Sequence, residues 1–237
     1  MSEKLGGDAG SQVQQGRSED IGDGTTAQGA QQPEHFAFDE QSEAEIAKIL
    51  TRYPPSRKTS GVIPLLYVVQ NQMARQTGSA WVPHVAMNTV AERLDMPPMR
   101  VYEVATFFLM FNTNPIGRHH LQVCTTTPCW LRGSDEVVRA CRDVTGIKGW
   151  RQPSEDWMFT LSEVECLGAC VNAPILQVDD DYYEDLDYDR TVALLQALRR
   201  GEKPPIGSTT GRQFSAPEGG PNTLTELDAQ GAHRSTE

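Results

Sequence analysis

The chain has 237 residues and a formal net charge of −11 at pH 7. This length allows one or two domains with a real hydrophobic core. The acidic balance argues against nucleic acid or an anionic membrane as the partner, because both attract basic surfaces. The longest apolar run, from about Val104 to Phe111, is too short to span a bilayer, so direct membrane insertion is not expected.

Residues 1–35 are rich in Gly, Gln, Ser and acidic side chains and contain almost no large apolar residue. Such a segment cannot bury enough apolar surface to offset the entropy lost on ordering, so we predict that it is disordered. It is also too acidic for a mitochondrial presequence, which is rich in Arg and poor in acids. We therefore expect a bacterial, cytoplasmic protein.

Residues 36–112 show four short stretches of helical periodicity, which predict a helical bundle. The predicted boundary signals are a capping box at Ser42 and Glu45, a stop at Pro54-Pro55, a start near Ser60, a stop at Gly78, and starts at Pro83 and at Pro97-Pro98. The side chains predicted to face the bundle core are Ile46, Ile49, Leu50, Tyr53, Ile63, Leu66, Tyr67, Met73, Ala74, Met87, Val90, Ala91, Leu94, Val101, Tyr102 and Ala105.

From Gly117 the pattern changes to alternating strands and helices, and we assign residues 113–202 to a second domain. Strands are predicted at residues 119–124 and 159–164, and a hairpin at 175–178 and 182–184. One helix begins at Gly133-Ser134 and ends at Gly146, and Asp187 caps the last helix. The order is one strand and a helix, a second strand, then a hairpin and a helix.

Four of the five cysteines form two pairs, Cys124 with Cys129 as C-x4-C and Cys166 with Cys170 as C-x3-C. Four cysteine thiolates are the usual ligands of a [2Fe–2S] cluster. Two pairs suit two irons, because each tetrahedral iron needs two thiolates beside the two shared sulfides. A structural zinc site also uses paired cysteines, so zinc and a metal-free site remain open on spacing alone.

Other cysteine chemistry fits the pattern less well. A thioredoxin-type redox site needs C-x-x-C, which is absent. A Rieske centre needs two histidine ligands, and no histidine lies between Cys124 and Cys170. Structural disulfides need an oxidising compartment, which is not expected here. The fifth cysteine, Cys141, lies at helical spacing from Val137 and Val144, so we interpret it as a buried core thiol and not as a ligand.

The segments around the two pairs resemble one family, the thioredoxin-like [2Fe–2S] ferredoxins, and within it the 24 kDa E subunits of NADH-quinone oxidoreductases. The resemblance rests on residues 123–133 (VCTTTPCWLRG), 164–174 (VECLGACVNAP), 182–186 (YYEDL) and 103–107 (EVATF). It covers about residues 40–200. Residues 211–220 (GRQFSAPEGG) and 224–226 (LTE) resemble the tail of mitochondrial and related bacterial members.

The resemblance implies an α+β fold, in which the helical bundle precedes a thioredoxin-like [2Fe–2S] ferredoxin domain with both cysteine loops at one sheet edge. It implies that Cys124, Cys129, Cys166 and Cys170 hold one [2Fe–2S] cluster. That cluster would exchange electrons with the FMN of a flavoprotein subunit that binds NADH. A large iron–sulfur subunit would be a second partner, in a respiratory complex I arm peripheral to the cytoplasmic side of the bacterial inner membrane.

No residue of this chain is predicted to be catalytic, because no glycine-rich loop that could cradle a nucleotide phosphate follows a strand. We expect residues 203–237 to form an extended tail that contacts partner subunits and is not needed to hold the cluster. Phe214 is its predicted anchor, with Arg212 beside it for a carboxylate or carbonyl of the partner. The alternatives are the equivalent small subunit of an NAD-linked hydrogenase or formate dehydrogenase, and a zinc-stabilised interaction module.

Overall fold

The computed structural model describes residues 32–212 and residue 219. Most of the predicted disordered segment 1–35, and the predicted anchor Phe214, lie outside these residues. The described chain begins with a helical region and continues into a mixed sheet with helices, so the predicted α+β class is confirmed. No helix among the described residues is long and apolar enough to cross a membrane.

The first region contains four α-helices and one short 3-10 helix. They are α1 (Glu40–Leu50), the 3-10 helix Pro55–Gly61, α2 (Val62–Thr77), α3 (His84–Leu94) and α4 (Pro98–Phe107). Their buried faces meet in one core, where Ile46, Leu66 and Val90 are fully inaccessible to solvent. Gly78 ends α2 in the left-handed conformation, at φ 78°, as its position in the sequence predicts.

The predicted start of α1 is wrong by three residues. Asp39, and not Ser42, is the N-cap, and its carboxylate accepts a hydrogen bond of 2.7 Å from the amide of Ser42. An Asp in this position satisfies a free helix N–H and places negative charge at the positive end of the helix dipole. Ser42 lies within the first turn and is completely buried.

Two of the predicted core side chains are substantially exposed, Tyr67 at 39% and Tyr102 at 41%. Their rings lie edge-on against other aromatic rings, Tyr67 against Phe111 and Tyr102 against His84. The buried face of α2 is also wider than a single stripe, because α1, α3 and α4 all pack against it. It therefore buries two glutamines, Gln70 and Gln72.

The second region is a six-stranded sheet with helices. Its elements are β1 (His119–Cys124), α5 (Thr127–Leu131), α6 (Ser134–Thr145), β2 (Gln152–Pro153), β3 (Phe159–Val164), the 3-10 helix Cys170–Asn172, β4 (Leu176–Val178), β5 (Asp181–Glu184), α7 (Tyr188–Arg199) and β6 (Gly207–Ser208). The strand order is β2-β3-β1-β4-β5-β6. β1 runs parallel to β3 and antiparallel to β4, so the carboxyl ends of β1 and β3 meet at one edge.

One face of this sheet carries the hydrophobic core. Leu121 of β1, Leu161 of β3 and Leu195 of α7 are fully buried there, together with Cys141 of α6. The bounds of β1 and β3 agree with the sequence prediction, as do the stop at Gly146 and the cap at Asp187, which accepts a hydrogen bond from the amide of Arg190. Cys141 is a core thiol of α6, as its spacing predicts.

In the second region four elements were not predicted, namely α5, β2, the 3-10 helix Cys170–Asn172 and β6. All are five residues or shorter, which is too short for hydrophobic periodicity to reveal. β6 has a structural consequence, because it pairs parallel to β5 within the segment assigned to the tail. Residues 207–212 thus pack against the second region.

The two regions are joined by a short linker that is tightly held. Ser79 at the end of α2 donates a hydrogen bond to the carbonyl of Ile116 and accepts one from its amide, at 2.7 and 2.8 Å. The amide of Gly117 donates to Thr160 on β3 at 2.7 Å. A Cβ at position 117 would lie 2.6 Å from the backbone of Phe159, so the close approach of linker and strand requires glycine.

Candidate metal centre

The parallel pairing of β1 and β3 brings the two cysteine loops together. Cys124 is the last residue of β1, and its register partner on β3 is Val164. Cys166 follows two residues later, so both pairs begin at the same edge of the sheet. Cysteines so far apart in the sequence meet because parallel neighbouring strands end side by side.

The first pair is buried. Cys124 is 1% exposed and Cys129, in the first turn of α5, is 0% exposed. Thr126 places its hydroxyl 3.2 Å from the Cys124 sulfur. Ala173 and Ile175 pack against both thiols and complete a small apolar cluster beside the main core.

The second pair lies at the surface. Cys166 is exposed and Cys170 is half-buried, and their Sγ atoms are 3.4 Å apart. The amide of Gly168 points at the Cys166 sulfur at 3.4 Å, from a residue in the left-handed conformation. Tyr182 of β5 donates a hydrogen bond of 2.9 Å to the carbonyl of Leu167 and so anchors this loop to the sheet.

The four sulfurs influence one another electrostatically. Burial pushes the pKa of Cys124 upward, but hydrogen bonds from Thr126, Leu167 and Cys129 outweigh it and leave the pKa below its usual value. Burial, followed by the hydrogen bond and charge of Cys124, raises the pKa of Cys129 to about 12. The pKa of Cys170 is raised first by its hydrogen bond with Cys166. Burial alone raises the pKa of Cys141 to about 12, without a contribution from any of the other four thiols.

The arrangement matches the donor set of a two-iron unit. Among the described residues, no group of three or more His, Cys, Asp or Glu side chains is arranged to hold a single metal ion. The four thiols lie in two pairs, Cys166 with Cys170 and Cys124 with Cys129. Two thiolates on one tetrahedral metal, with bonds of about 2.3 Å, stand about 3.8 Å apart, so the 3.4 Å spacing of Cys166 and Cys170 needs only a small opening.

The surface around the pairs is partly apolar and partly acidic. Trp130 is 57% exposed, Leu131 71% and Val171 61%. Beside them lies an open depression of about 560 Å³, lined by the three threonines 125–127, Trp130, Glu163 and Glu165. Clustered exposed apolar side chains are common where one protein contacts another.

The second cysteine loop is braced by Asn172, Glu184 and Asp185, which the sequence analysis did not single out, and by Arg212, which it assigned to a partner contact. The amide of Asp185 donates a hydrogen bond of 2.8 Å to the carbonyl of Asn172, and the Asn172 side chain donates to the carboxylate of Glu184. Arg212 donates to the carbonyl of Val171. The sequence signal for these four residues was their place in the 164–174, 182–186 and 211–220 segments that carry the family resemblance.

A thioredoxin-like sheet with two cysteine pairs at one edge defines a class of iron–sulfur proteins. The chain belongs to the thioredoxin-like [2Fe–2S] ferredoxin family, whose sequence profile matches residues 46–199. This confirms the family predicted from the cysteine segments.

Two relatives support this assignment, and a solved structure shares the fold. The chain is 49% identical over 165 residues to the E subunit of the NADH-quinone oxidoreductase of Rickettsia bellii. The matched region covers 70% of this chain and 95% of the relative. It is 51% identical over 161 residues to the protein of the same name in Rickettsia prowazekii, covering 68% and 88%. A crystal structure of NAD+-reducing [NiFe]-hydrogenase in the H2-reduced state shares the fold, with a TM-score of 0.51 and 17% identity over 61% of this chain and 23% of that one.

Proposed function

We propose that this chain is the electron-transfer subunit of an NADH-quinone oxidoreductase, holding one [2Fe–2S] cluster at Cys124, Cys129, Cys166 and Cys170. The observation that carries the proposal is the convergence of the two cysteine pairs where β1 and β3 end side by side. Identity near 50% over nearly the whole length of the E subunits of NADH-quinone oxidoreductases from two Rickettsia species supports it.

When bound, the cluster supplies a centre that takes up and releases one electron. The chain's own residues set how readily this happens. The amide of Gly168 and the hydroxyl of Thr126 face the sulfurs of Cys166 and Cys124, and such contacts stabilise negative charge on them. Four thiolates keep the centre electron-rich, so we expect a midpoint potential of about −400 mV, as in plant-type [2Fe–2S] ferredoxins, whose ligands are also four cysteines.

The exposed Cys166 defines the side from which electrons are exchanged. Val171, the residue after Cys170, is also exposed, as are Trp130 and Leu131 at the end of α5, which together form the rim of the site. We propose that this surface faces a flavoprotein subunit that carries FMN and binds NADH. The chain would then work as a peripheral subunit of the hydrophilic arm, beside the large iron–sulfur subunit and on the cytoplasmic side of the bacterial inner membrane.

Metal analysis tests the cluster first. Purified full-length chain is expected to contain two irons and two acid-labile sulfides per four-thiolate site, and to give a reduced-cluster EPR signal after dithionite. Zinc in place of iron and sulfide would overturn the proposal and support a structural zinc module.

Co-expression tests the partner. The chain alone is expected not to oxidise NADH, whereas it should co-purify with an NADH-binding flavoprotein subunit and accept electrons from NADH in that complex. A Trp130→Ser, Leu131→Ser variant should lose co-purification while keeping its iron content. Met99→Ser, also at an exposed apolar residue but on α4, serves as the matched control. Equal recovery of all three proteins would show that the rim is not the contact surface.

A further inference from the structure

The segment that follows α7 returns to the sheet and packs beside the second cysteine loop. β6 pairs with β5 in parallel, with Gly207 opposite Tyr183 and Ser208 opposite Glu184. The amide of Thr209 continues the pairing with a hydrogen bond of 3.0 Å to the carbonyl of Glu184. We call residues 207–212 the C-terminal strap.

The strap ends in a buried ion pair. Arg212 donates from Nε to one carboxylate oxygen of Asp185 at 3.0 Å and from Nη2 to the other. The two side chains are only 14% and 9% exposed. Ser208 donates a further hydrogen bond of 2.5 Å to the same carboxylate. Burial pushes the pKa of Asp185 upward, but the hydrogen bonds from Arg212 and Ser208 outweigh it and hold the pKa below its usual value.

The same guanidinium reaches the cysteine loop. Nη2 of Arg212 donates 3.2 Å to the carbonyl of Val171, the residue directly after Cys170. Asp185 contacts the next residue, because its amide donates 2.8 Å to the carbonyl of Asn172. Two successive carbonyls after Cys170 are therefore held by the two members of one ion pair.

We propose that Arg212 is a positioning residue for Cys170, and that the C-terminal strap is part of the metal centre's support and not only a partner contact. This rests on the proposed function, since it takes Cys170 to be a cluster ligand. Residues that orient metal ligands influence retention of the metal as well as its electronic properties. Within the chain, Arg212 contacts a carboxylate of Asp185 and a carbonyl of Val171, and its contact with a partner subunit stays a prediction.

The two members of the pair carry opposite charges. Substituting each of them should therefore shift the midpoint potential of the cluster in opposite directions, which a loss of overall stability would not do. Removing either one leaves the other buried without its partner, so both changes loosen the loop. Removing the positive charge disfavours an added electron nearby, whereas removing the negative charge favours it. Arg212→Gln should lower the midpoint potential of the cluster, and Asp185→Asn should raise it.

The experiment uses the full-length chain with its cluster, and compares Arg212→Gln and Asp185→Asn with matched controls at an exposed ion pair, Arg200→Gln and Glu202→Gln. Cluster loss to an iron chelator is followed by absorbance, and the midpoint potential by EPR-monitored titration. We expect both strap variants to lose the cluster about 10-fold faster than the controls, with potentials that move in opposite directions. Arg212→Lys should keep the potential but not the retention, because one ammonium cannot reproduce the forked contact.

A readout without the cluster completes the test. In the cluster-free full-length chain, amide hydrogen exchange of residues 170–172 should rise in Arg212→Gln and remain unchanged in Arg200→Gln. Retention, potential and exchange that all match the controls would overturn the inference. Absence of iron and sulfide from the unmutated chain would instead overturn the proposed function, so the two failures are distinct.

Discussion

The Sγ atoms of Cys166 and Cys170 lie 3.4 Å apart at the surface, whereas the thiols of Cys124 and Cys129 are buried. The candidate centre is therefore asymmetric, with one pair open to solvent and one enclosed by protein. Reagents from solution reach the two pairs with different ease.

The exposed pair should oxidise first in the cluster-free chain. With oxidised glutathione as the oxidant, each disulfide formed within the chain releases two glutathione thiols, and we expect Cys166 to be joined to Cys170. Cys141 should stay unmodified, because it is fully buried and its pKa is raised to about 12. Peptide mass mapping over time checks this. Earlier oxidation of the Cys124 and Cys129 pair would contradict the exposure difference.

Serine substitutions should distinguish the four predicted cluster ligands from the core thiol Cys141. Cys129→Ser is expected to lose or distort the cluster, because a hydroxyl is a poor replacement for a thiolate on iron. Cys141→Ser should keep the reduced-cluster EPR signal and lower the free energy of unfolding by about 1 kcal/mol, since it places a hydroxyl in the apolar core. A normal signal in Cys129→Ser, or its loss in Cys141→Ser, would show that the ligand assignment is wrong.

His120 should make the fold sensitive to acid. Burial lowers its pKa to about 4; the charge of Asp179 opposes this shift, and the charge of Arg151 adds to it. The unfolded chain therefore binds a proton below about pH 6.5 that the folded chain does not bind until about pH 4, so stability falls as the pH falls through this window. Between pH 7 and pH 5 the loss from this group is about 2 kcal/mol.

Denaturant unfolding at both pH values measures this effect. His120→Gln, which can still contact Ser162, should remove that part of the difference between pH 7 and pH 5. His84→Gln, at an exposed histidine of the bundle, should leave it unchanged. The same pH dependence in all three proteins would contradict the assignment to His120.

The position of a C-terminal truncation should matter more than its length. A chain that stops after Arg212 keeps β6 and the pair with Asp185, and we expect it to melt like the full-length protein. A chain that stops after Ile206 leaves Asp185 without its guanidinium, which costs about 2 kcal/mol, or roughly 4–8 °C in melting temperature. Thermal unfolding followed by circular dichroism compares the two. Equal melting temperatures would show that the strap adds no stability.

Much of the fold follows from local patterns in the sequence. The bounds of β1 and β3, the left-handed stops at Gly78 and Gly146 and the cap at Asp187 each depend on a few neighbouring residues. Tyr67 and Tyr102 did not follow the prediction, because periodicity identifies the apolar face of a helix but not how far its neighbours cover it. The start of α1 differed because both Asp39 and Ser42 are good N-caps. A long-range hydrogen bond from Arg75 to the carboxylate of Asp39 favours Asp39.

The sequence by itself determined the chemistry of the candidate site, since the types and spacing of Cys124, Cys129, Cys166 and Cys170 are local facts that specify two thiolate pairs. Only the tertiary structure decided that one pair is buried and the other exposed, and that Arg212 lies against Asp185 and Val171. Those contacts join residues 27 and 41 positions apart. No periodic or capping signal links such positions, because their distance depends on how β5, β6 and the second cysteine loop pack around a common sheet edge.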